Sequence, residues 1–282
     1  MKFKIGCHVS ISGSINLSFE RAARLGCNTF QIFTKNPRGW AARTFADSEI
    51  QKFRENIKLA EISPIFAHIS YLPNLASQNE VIYKKSLASF MLELERCSVL
   101  NIPYFVIHGG SYKGGTLEQG LSTYVKSLLR GLEGIEKKVI ILIENSAGGK
   151  NSITGDLNNI SKILDEIGDK QAVKICFDTC HAFGSGYDLR DEKGINKTIK
   201  NIESSIGMDR IVLVHANDSK GDLGSHRDFH EHIGLGKIGR NGFRAMVNHP
   251  LFNQKPWILE TPVNEIRGDR ENIEYILNML RK

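Results

Sequence analysis

Histidines and carboxylates, the residue types that bind divalent metal ions, recur at the ends of short apolar runs in this sequence. His68, His108, Glu144, Asp178, His215 and Glu260 each close such a run or stand at its last positions. Three more candidates fall in loops: His181 follows Asp178 at a spacing of three in FDTCHAFGSGYD, and Asp228 with His230 forms an Asp-x-His pair in SHRDFHEHIG, a spacing that can chelate one ion from a turn. Taken singly, a histidine or glutamate at a strand end is ordinarily a hydrogen-bonded polar group or half of an ion pair. Taken together, a ring of imidazoles and acids facing a core is costly to bury unless cations pair the carboxylates. A catalytic zinc takes about three protein ligands and keeps one position open, so these nine residues divide among about three ions. Mixed imidazole and carboxylate sets suit Zn²⁺, with Mn²⁺ or iron as alternatives at some positions.

Ligands so distant in sequence meet only if a fold gathers the ends of the runs. The runs are Phe3 to Val9, Thr29 to Phe33, Pro64 to Ile69, Tyr104 to His108, Val139 to Glu144, Val173 to Asp178, Ile211 to His215 and Pro256 to Glu260. Stretches such as VIILIEN are continuously apolar, as expected of strands buried on both faces, and every connection is long enough for a crossover helix. Between the runs lie helical patterns, with Leu87, Phe90, Leu94 and Cys97 on one face, then Leu117, Leu121, Tyr124, Leu128, Leu132 and Ile135, and finally Ile273, Ile276, Leu277 and Leu280. Eight such units predict an α/β fold, a closed (β/α)₈ TIM barrel, whose strand C-termini converge on one face where active sites sit. A doubly wound open sheet is the alternative, but GCHVSISGS lacks the spacing of a glycine-rich phosphate loop after the first strand.

Composition agrees. The chain has 282 residues, 41% apolar and 24% charged, with no low-complexity linker, so a single domain over residues 1–282 is expected. The formal net charge of +6 is compatible with an anionic partner, more so if ions occupy several of the acids, although many soluble enzymes with no nucleic-acid role are as basic. MKFKIG leads directly into a strand pattern and no later stretch has membrane-spanning length, which points to a cytoplasmic, nucleoid-associated protein with no membrane partner. Cys7, Cys27, Cys97, Cys176 and Cys180 are odd in number and scattered, as reduced, buried thiols are. Cys180 lies between two candidate ligands but is not needed for the count and is expected to pack away from the metals. His8 is a candidate supporting group behind the ligands, and His226, His232 and His249 read as solvated or structural histidines.

From GCHVS near the start to LETP near the end, the chain resembles the endonuclease IV family of zinc-dependent apurinic/apyrimidinic endonucleases. The resemblance includes FTKNPRGW, HISYLPNLAS, IENSAG, FDTCHAFGSGYD and HANDSKGDLGSHRDFHEHIGLG, in that order. Two departures are visible, Gly109 where many members have proline and Phe229 where a basic residue is common, and neither removes a ligand. Carried over residue by residue, the resemblance implies that His68, His108 and Glu144 hold one zinc, that Glu144 also reaches a second held by Asp178, His215 and Glu260, and that His181, Asp228 and His230 hold a third. Glu144 and Glu260 are then the catalytic carboxylates. Three dications with Glu144, Asp178, Asp228 and Glu260 leave a net positive cluster, suited to clamping the attacking and leaving oxygens of a phosphodiester in an in-line displacement. The family outcome is cleavage 5′ to an abasic site in duplex DNA, giving a 3′-hydroxyl and a 5′-deoxyribose phosphate, by a monomer with no protein partner implied.

The loops after the second and third strands supply the DNA-facing candidates Lys35, Arg38, Trp40, Tyr71 and Leu72. Bulky wedges of this kind unstack a base step, and an abasic site, already unpaired, is cheaper to extrude than a normal nucleotide. By resemblance Arg38, Tyr71 and Leu72 match the family's DNA-penetrating positions. The plainer alternative is that Trp40 and Leu72 merely cover the barrel mouth, and Lys220, Arg227 and Lys237 are further candidates for phosphate contacts. Two rival functions share the metal barrel: a sugar isomerase or epimerase, which manages with about four ligands, and a non-catalytic lesion-binding protein that keeps zinc for structure.

Overall fold

The eight apolar runs form eight parallel strands, described here from a computed structural model covering residues 3–134, 139–168 and 172–281. They are β1 (Ile5–Cys7), β2 (Phe30–Phe33), β3 (Ile65–His68), β4 (Tyr104–His108), β5 (Ile140–Glu144), β6 (Val173–Asp178), β7 (Ile211–His215) and, after a short hairpin of β8 (Asp218–Ser219) and β9 (His230–Glu231), β10 (Trp257–Leu259). The sheet order is β1-β10-β7-β6-β5-β4-β3-β2. A parallel bridge between His8 and Gln31, with Val9 N–H donating to the Gln31 carbonyl at 2.7 Å, joins the two ends and closes the ring.

Strand alternation explains why the candidate ligands share one mouth. The barrel interior is a layer of Phe66, Val106, Leu142, Cys176, Leu213 and Ile258, all buried. Each stands two residues before a candidate ligand: His68, His108, Glu144, Asp178, His215 and Glu260. Side chains two apart on a strand point to the same face, so each ligand sits one layer above an apolar floor residue. The intervening residues, such as Ala67, Ile107 and Ile143, face outward into the larger core beneath the helices.

The helices follow the expected apolar faces. α1 is Leu17–Arg24, α2 Asp47–Leu59, α3 Glu80–Leu100, α4 Leu117–Glu133, α5 Leu157–Ile167, α6 Thr179–Gly184, α7 Glu192–Ser205, α8 Gly239–Val247, α9 Pro250–Asn253 and α10 Asp269–Leu277. Phe90, Leu94 and Cys97 of α3 and Leu121, Tyr124 and Leu128 of α4 are buried, and α4 starts in a capping box between Thr116 and Gln119. Ile135 lies outside the described residues. In α10 Ile273 and Ile276 are buried, but Leu277 is exposed: the helix packs through one narrow stripe, and Leu277 falls beside it. Among the described residues no helix is long and apolar enough to cross a membrane.

Two local devices position the mouth. The loop between β8 and α8 carries Asp228 and His230, and the buried carboxylate of Asp218 staples its far end by accepting from the backbone N–H groups of Gly234, Gly236, Ile238 and Gly239 at 2.9 to 3.2 Å. At the closure of the ring, Gly6 of β1 runs so close to β2 that an added Cβ would sit 1.7 Å from the Thr29 carbonyl oxygen. Gly6→Ala must therefore push β1 and β2 apart. It is expected to lower the unfolding free energy by about 3 kcal/mol, the upper end for overpacking, read from the shift of the urea midpoint.

Candidate metal centre

Glu144 stands at the middle of the mouth, 1% exposed, with its two oxygens facing different imidazoles. Oε2 lies 3.2 Å from His68 Nε2 and 3.4 Å from His108 Nε2, while Oε1 lies 3.1 Å from His215 Nδ1. His215 Nδ1 is also 3.4 Å from Glu260 Oε2 and 3.9 Å from Asp178 Oδ2. Towards the rim, Asp228 Oδ1 lies 3.0 Å from His181 Nε2 and 3.2 Å from His230 Nε2. All nine candidate ligands thus meet at one mouth. The donor atoms of Glu144, Asp178, His215 and Glu260 lie within 4.8 Å of one another, as do those of His68, Glu144 and His215 and those of Asp178, His181 and His230.

The orientation of the imidazoles tests whether such donors suit cations. A metal-binding histidine typically donates its remote N–H to a fixed acceptor, which turns the other nitrogen's lone pair to the ion. His68 Nδ1 lies 2.7 Å from the Ile69 carbonyl, His181 Nδ1 2.9 Å from the Asn145 carbonyl and His230 Nδ1 3.1 Å from the Glu260 carbonyl. A carbonyl only accepts, so Nδ1 carries the proton in each and Nε2 presents a lone pair to the acids. His230 Nε2 is buried and faces two carboxylate oxygens, Asp228 Oδ1 at 3.2 Å and Asp178 Oδ2 at 3.9 Å. Lone pairs aimed at carboxylate oxygens need a positive charge between them, and the donor set fits divalent ions.

Protons can do part of that work. Burial pushes the Glu144 carboxyl up, but His215, His108 and His181 outweigh it and hold it well below the ordinary carboxylate range. At Asp178 burial wins over the same kind of neighbours and the carboxyl is raised. His230 loses from burial and gains more from Asp228, Asp178 and Glu260, which push it up to about 9. Buried acids thus compete for the same imidazole protons at this mouth, the charge pattern of a site built for cations.

The rim carries the DNA-facing candidates, with one correction. Arg38, Trp40, Tyr71 and Leu72 are exposed. The two loops that bear them are tied by the Tyr71 N–H donating to the Pro37 carbonyl at 3.0 Å and by edge contact of Tyr71 with Phe33. Lys35 is not on that surface. Its ammonium is buried, donates to the Gly39 carbonyl at 2.5 Å and lies 3.8 Å from Glu93, itself held by Ser70 and Ser89. Lys35 braces the loop from inside because the buried Glu93 needs a counter-charge there. Cys180 is a second correction: as the second residue of α6, its buried sulfur falls within 4.8 Å of donor atoms of Asp228 and His230 instead of packing away, although burial pushes the thiol up to about 12 and keeps it protonated.

The remaining histidines behave as structural groups. His232 is buried between Asn264 and Asn272, His249 caps α9, and His226 is exposed. Lys220, Arg227 and Lys237 are exposed, Lys237 within 3.5 Å of Asp222. Phe229 is 56% exposed beside the outer ligands. At Gly109 a Cβ would fall 2.2 Å from the Thr154 side chain, so Thr154 excludes a larger residue such as proline.

Three supporting residues escaped the sequence reading. Asn145 and Asn217 hold Asp178, Asn145 by exchanging hydrogen bonds with its backbone and Asn217 by donating to Oδ2 at 2.7 Å. Their signal was adjacency, in IEN and HAND. Gln31 reaches His215, Glu260 and His8 from beneath. Its signal was a polar residue inside the apolar run FQIF.

Residues 19–282 match the family profile described as xylose isomerase-like TIM barrel. The chain is 47% identical to "Probable endonuclease 4" of Methanoculleus marisnigri over 95% of its own length and 96% of that protein's. The crystal structure of endonuclease IV from Thermus thermophilus superposes with a TM-score of 0.86 at 31% identity, covering 98% of both chains. A D-tagatose 3-epimerase-like protein superposes with a TM-score of 0.71 at 21% identity over 98% of this chain and 96% of that one, a likeness of fold alone. With the ring of candidate ligands at the strand ends and the full-length similarity on both counts, the chain belongs to the xylose isomerase-like TIM-barrel family and, within it, to the endonuclease IV group.

Proposed function

We propose that this chain, as one domain over residues 1–282, is a DNA-repair endonuclease of the deoxyribonuclease IV type that hydrolyses the phosphodiester bond 5′ to abasic sites in duplex DNA, leaving a 3′-hydroxyl and a 5′-deoxyribose phosphate. The observation that carries the reading is the buried carboxylate of Glu144, whose two oxygens serve separate sets of imidazoles across the mouth. The endonuclease 4 naming of full-length relatives supports it.

The proposed ligand sets are His68, His108 and Glu144 for one zinc, Glu144, Asp178, His215 and Glu260 for a second, and His181, Asp228 and His230 for a third. Bound dications supply Lewis acidity toward a phosphodiester and neutralise its growing negative charge. The chain's own residues do the positioning. Glu144 fixes the spacing of the inner sets, Glu260 closes the second set from the end of β10, the neighbour of β7, and the carbonyls behind His68, His181 and His230 hold those rings without reorganisation. A cavity of about 780 Å³ lies between the loops after β1 and β2, lined by His8, Ser10, Phe33, Asn36 and Pro37 among others, and reaches the centre only at His8. Arg38, Trp40, Tyr71 and Leu72 form the exposed rim that wedges the duplex open. Selectivity follows from the lower cost of extruding a nucleotide that has no base to unstack. The enzyme would act as a monomer on nucleoid DNA in the cytoplasm.

A sugar isomerase or epimerase on this barrel has no use for the outer set, and the meeting of His181, Asp228 and His230 speaks against it. A non-catalytic lesion binder would bind abasic duplex without cutting it. The test is nicking of a duplex with a single abasic site, set beside an intact duplex and a metal-to-chain ratio. Cleavage confined to the 5′ side of the lesion, abolished by chelation and restored by Zn²⁺, is expected. An uncut lesion with about three ions bound per chain would overturn the catalytic reading, and one ion per chain would favour the isomerase.

Glu144→Ala removes the shared carboxylate and is expected to lower nicking on the order of 10³-fold with the fold preserved by circular dichroism; full activity in that variant would defeat the mechanism. Tyr71→Ala takes away one exposed ring and leaves the centre intact. Its expected effect is a loss of preference for abasic over intact duplex of about 10-fold or more, the scale of one stacking contact, read as competition in a binding assay.

A further inference from the structure

Gln31 is fully buried in β2, level with Phe66 of the apolar floor, and its side chain rises into the metal centre. Nε2 lies 2.7 Å from Glu260 Oε1 and 3.1 Å from His8 Nδ1, while Oε1 lies 2.9 Å from His215 Nε2. Chemistry decides which end of the amide is which. A carboxylate accepts only, so the end at Glu260 must be the NH₂. The other end is then a carbonyl, and it requires a proton on His215 Nε2. In the neutral ring this leaves a lone pair on His215 Nδ1, aimed at Glu144 Oε1 at 3.1 Å, Glu260 Oε2 at 3.4 Å and Asp178 Oδ2 at 3.9 Å. A lone pair surrounded by carboxylate oxygens is reconciled by a cation placed among them.

We infer that Gln31 is a positioning residue that presets the Glu144, Asp178, His215 and Glu260 site: its carbonyl locks the His215 tautomer with Nδ1 free, and its amide nitrogen holds Glu260 by Oε1 and leaves Oε2 for the ion. This rests on the metal reading of the centre. His8 completes the lock, because its Nδ1 takes the second amide proton and both N–H groups are committed. Turning the amide over would set its carbonyl against the Glu260 carboxylate and its NH₂ against an imidazole N–H. His68, His181 and His230 take the same service from backbone carbonyls, which no substitution removes. His215 takes it from a side chain, so its orientation is open to mutation.

The test uses the full chain, with Zn²⁺ alone as the probe, in equilibrium dialysis against buffered free zinc. Gln31→Met keeps length and removes both polar ends; Gln31→Glu keeps an acceptor for His215 but sets a carboxylate against Glu260. In Gln31→Met one ion of the bound set is expected to weaken by about 10- to 100-fold, and the ¹⁵N signature of His215 in the zinc-loaded protein is expected to change from pure Nε2–H to a mixture. On abasic duplex kcat falls and KM is unchanged. Gln31→Glu is expected to weaken the same ion while His215 keeps its tautomer, a split that a merely structural role would not produce. A wild-type zinc isotherm with an unaltered His215 signature in Gln31→Met overturns the inference, and if that variant does not fold, a wild-type isotherm in Gln31→Glu does so. A wild-type chain that takes up no zinc would instead overturn the metal reading itself, a result distinguishable from either variant's.

Discussion

A carboxylate taken out of water must be neutralised, and the mouth of this barrel is organised around that requirement at Glu144. Its neighbours supply imidazoles on both sides, and behind them stand further buried or half-buried acids, Asp178 and Glu260, in the same predicament. Protons meet the demand only in part, as the opposite displacements of Glu144 and Asp178 indicate. Divalent cations would meet it in full, and they would also supply the chemistry a phosphodiester needs. The costly arrangement and the useful one are the same.

Much of this was legible in the sequence because the barrel converts a one-dimensional pattern into a three-dimensional one by simple rules. Continuous apolar runs identify strands buried on both faces, and a polar residue two positions beyond an inward apolar one must reach the mouth. His68, His108, Glu144, Asp178, His215 and Glu260 could therefore be grouped from the strand pattern alone. His181, Asp228 and His230 came from local spacing and from resemblance, since loops follow no such alternation. Lys35 was misread for a physical reason: a lysine in a loop is ordinarily solvated, and nothing local shows that Glu93, 58 positions away, is buried and in need of it. Gln31 was passed over because a glutamine inside an apolar run carries no metal-ligand chemistry of its own. Its importance is relational, and relations across a closed ring are not written in any one segment.

The fold alone does not separate endonucleases from sugar epimerases, since both share this barrel. In this chain the candidate site is divided between strands and connections. The inner acids and imidazoles come from strand ends, where the barrel dictates position, whereas the outer set depends on α6 and on the hairpin of β8 and β9. The exposed residues proposed as a wedge likewise sit on the loops after β2 and β3, braced from within by the Lys35 and Glu93 pair. Strands supply a common hearth, and loops decide what is brought to it.

The Asp218 staple makes the outer part of the mouth independent of the strands. One carboxylate gathers four peptide N–H groups and so suspends the whole segment that carries Asp228 and His230. The strands owe nothing to that anchor, so the outer position is fixed separately from the inner ones. Anchorage, more than strand geometry, sets where the excursion hangs.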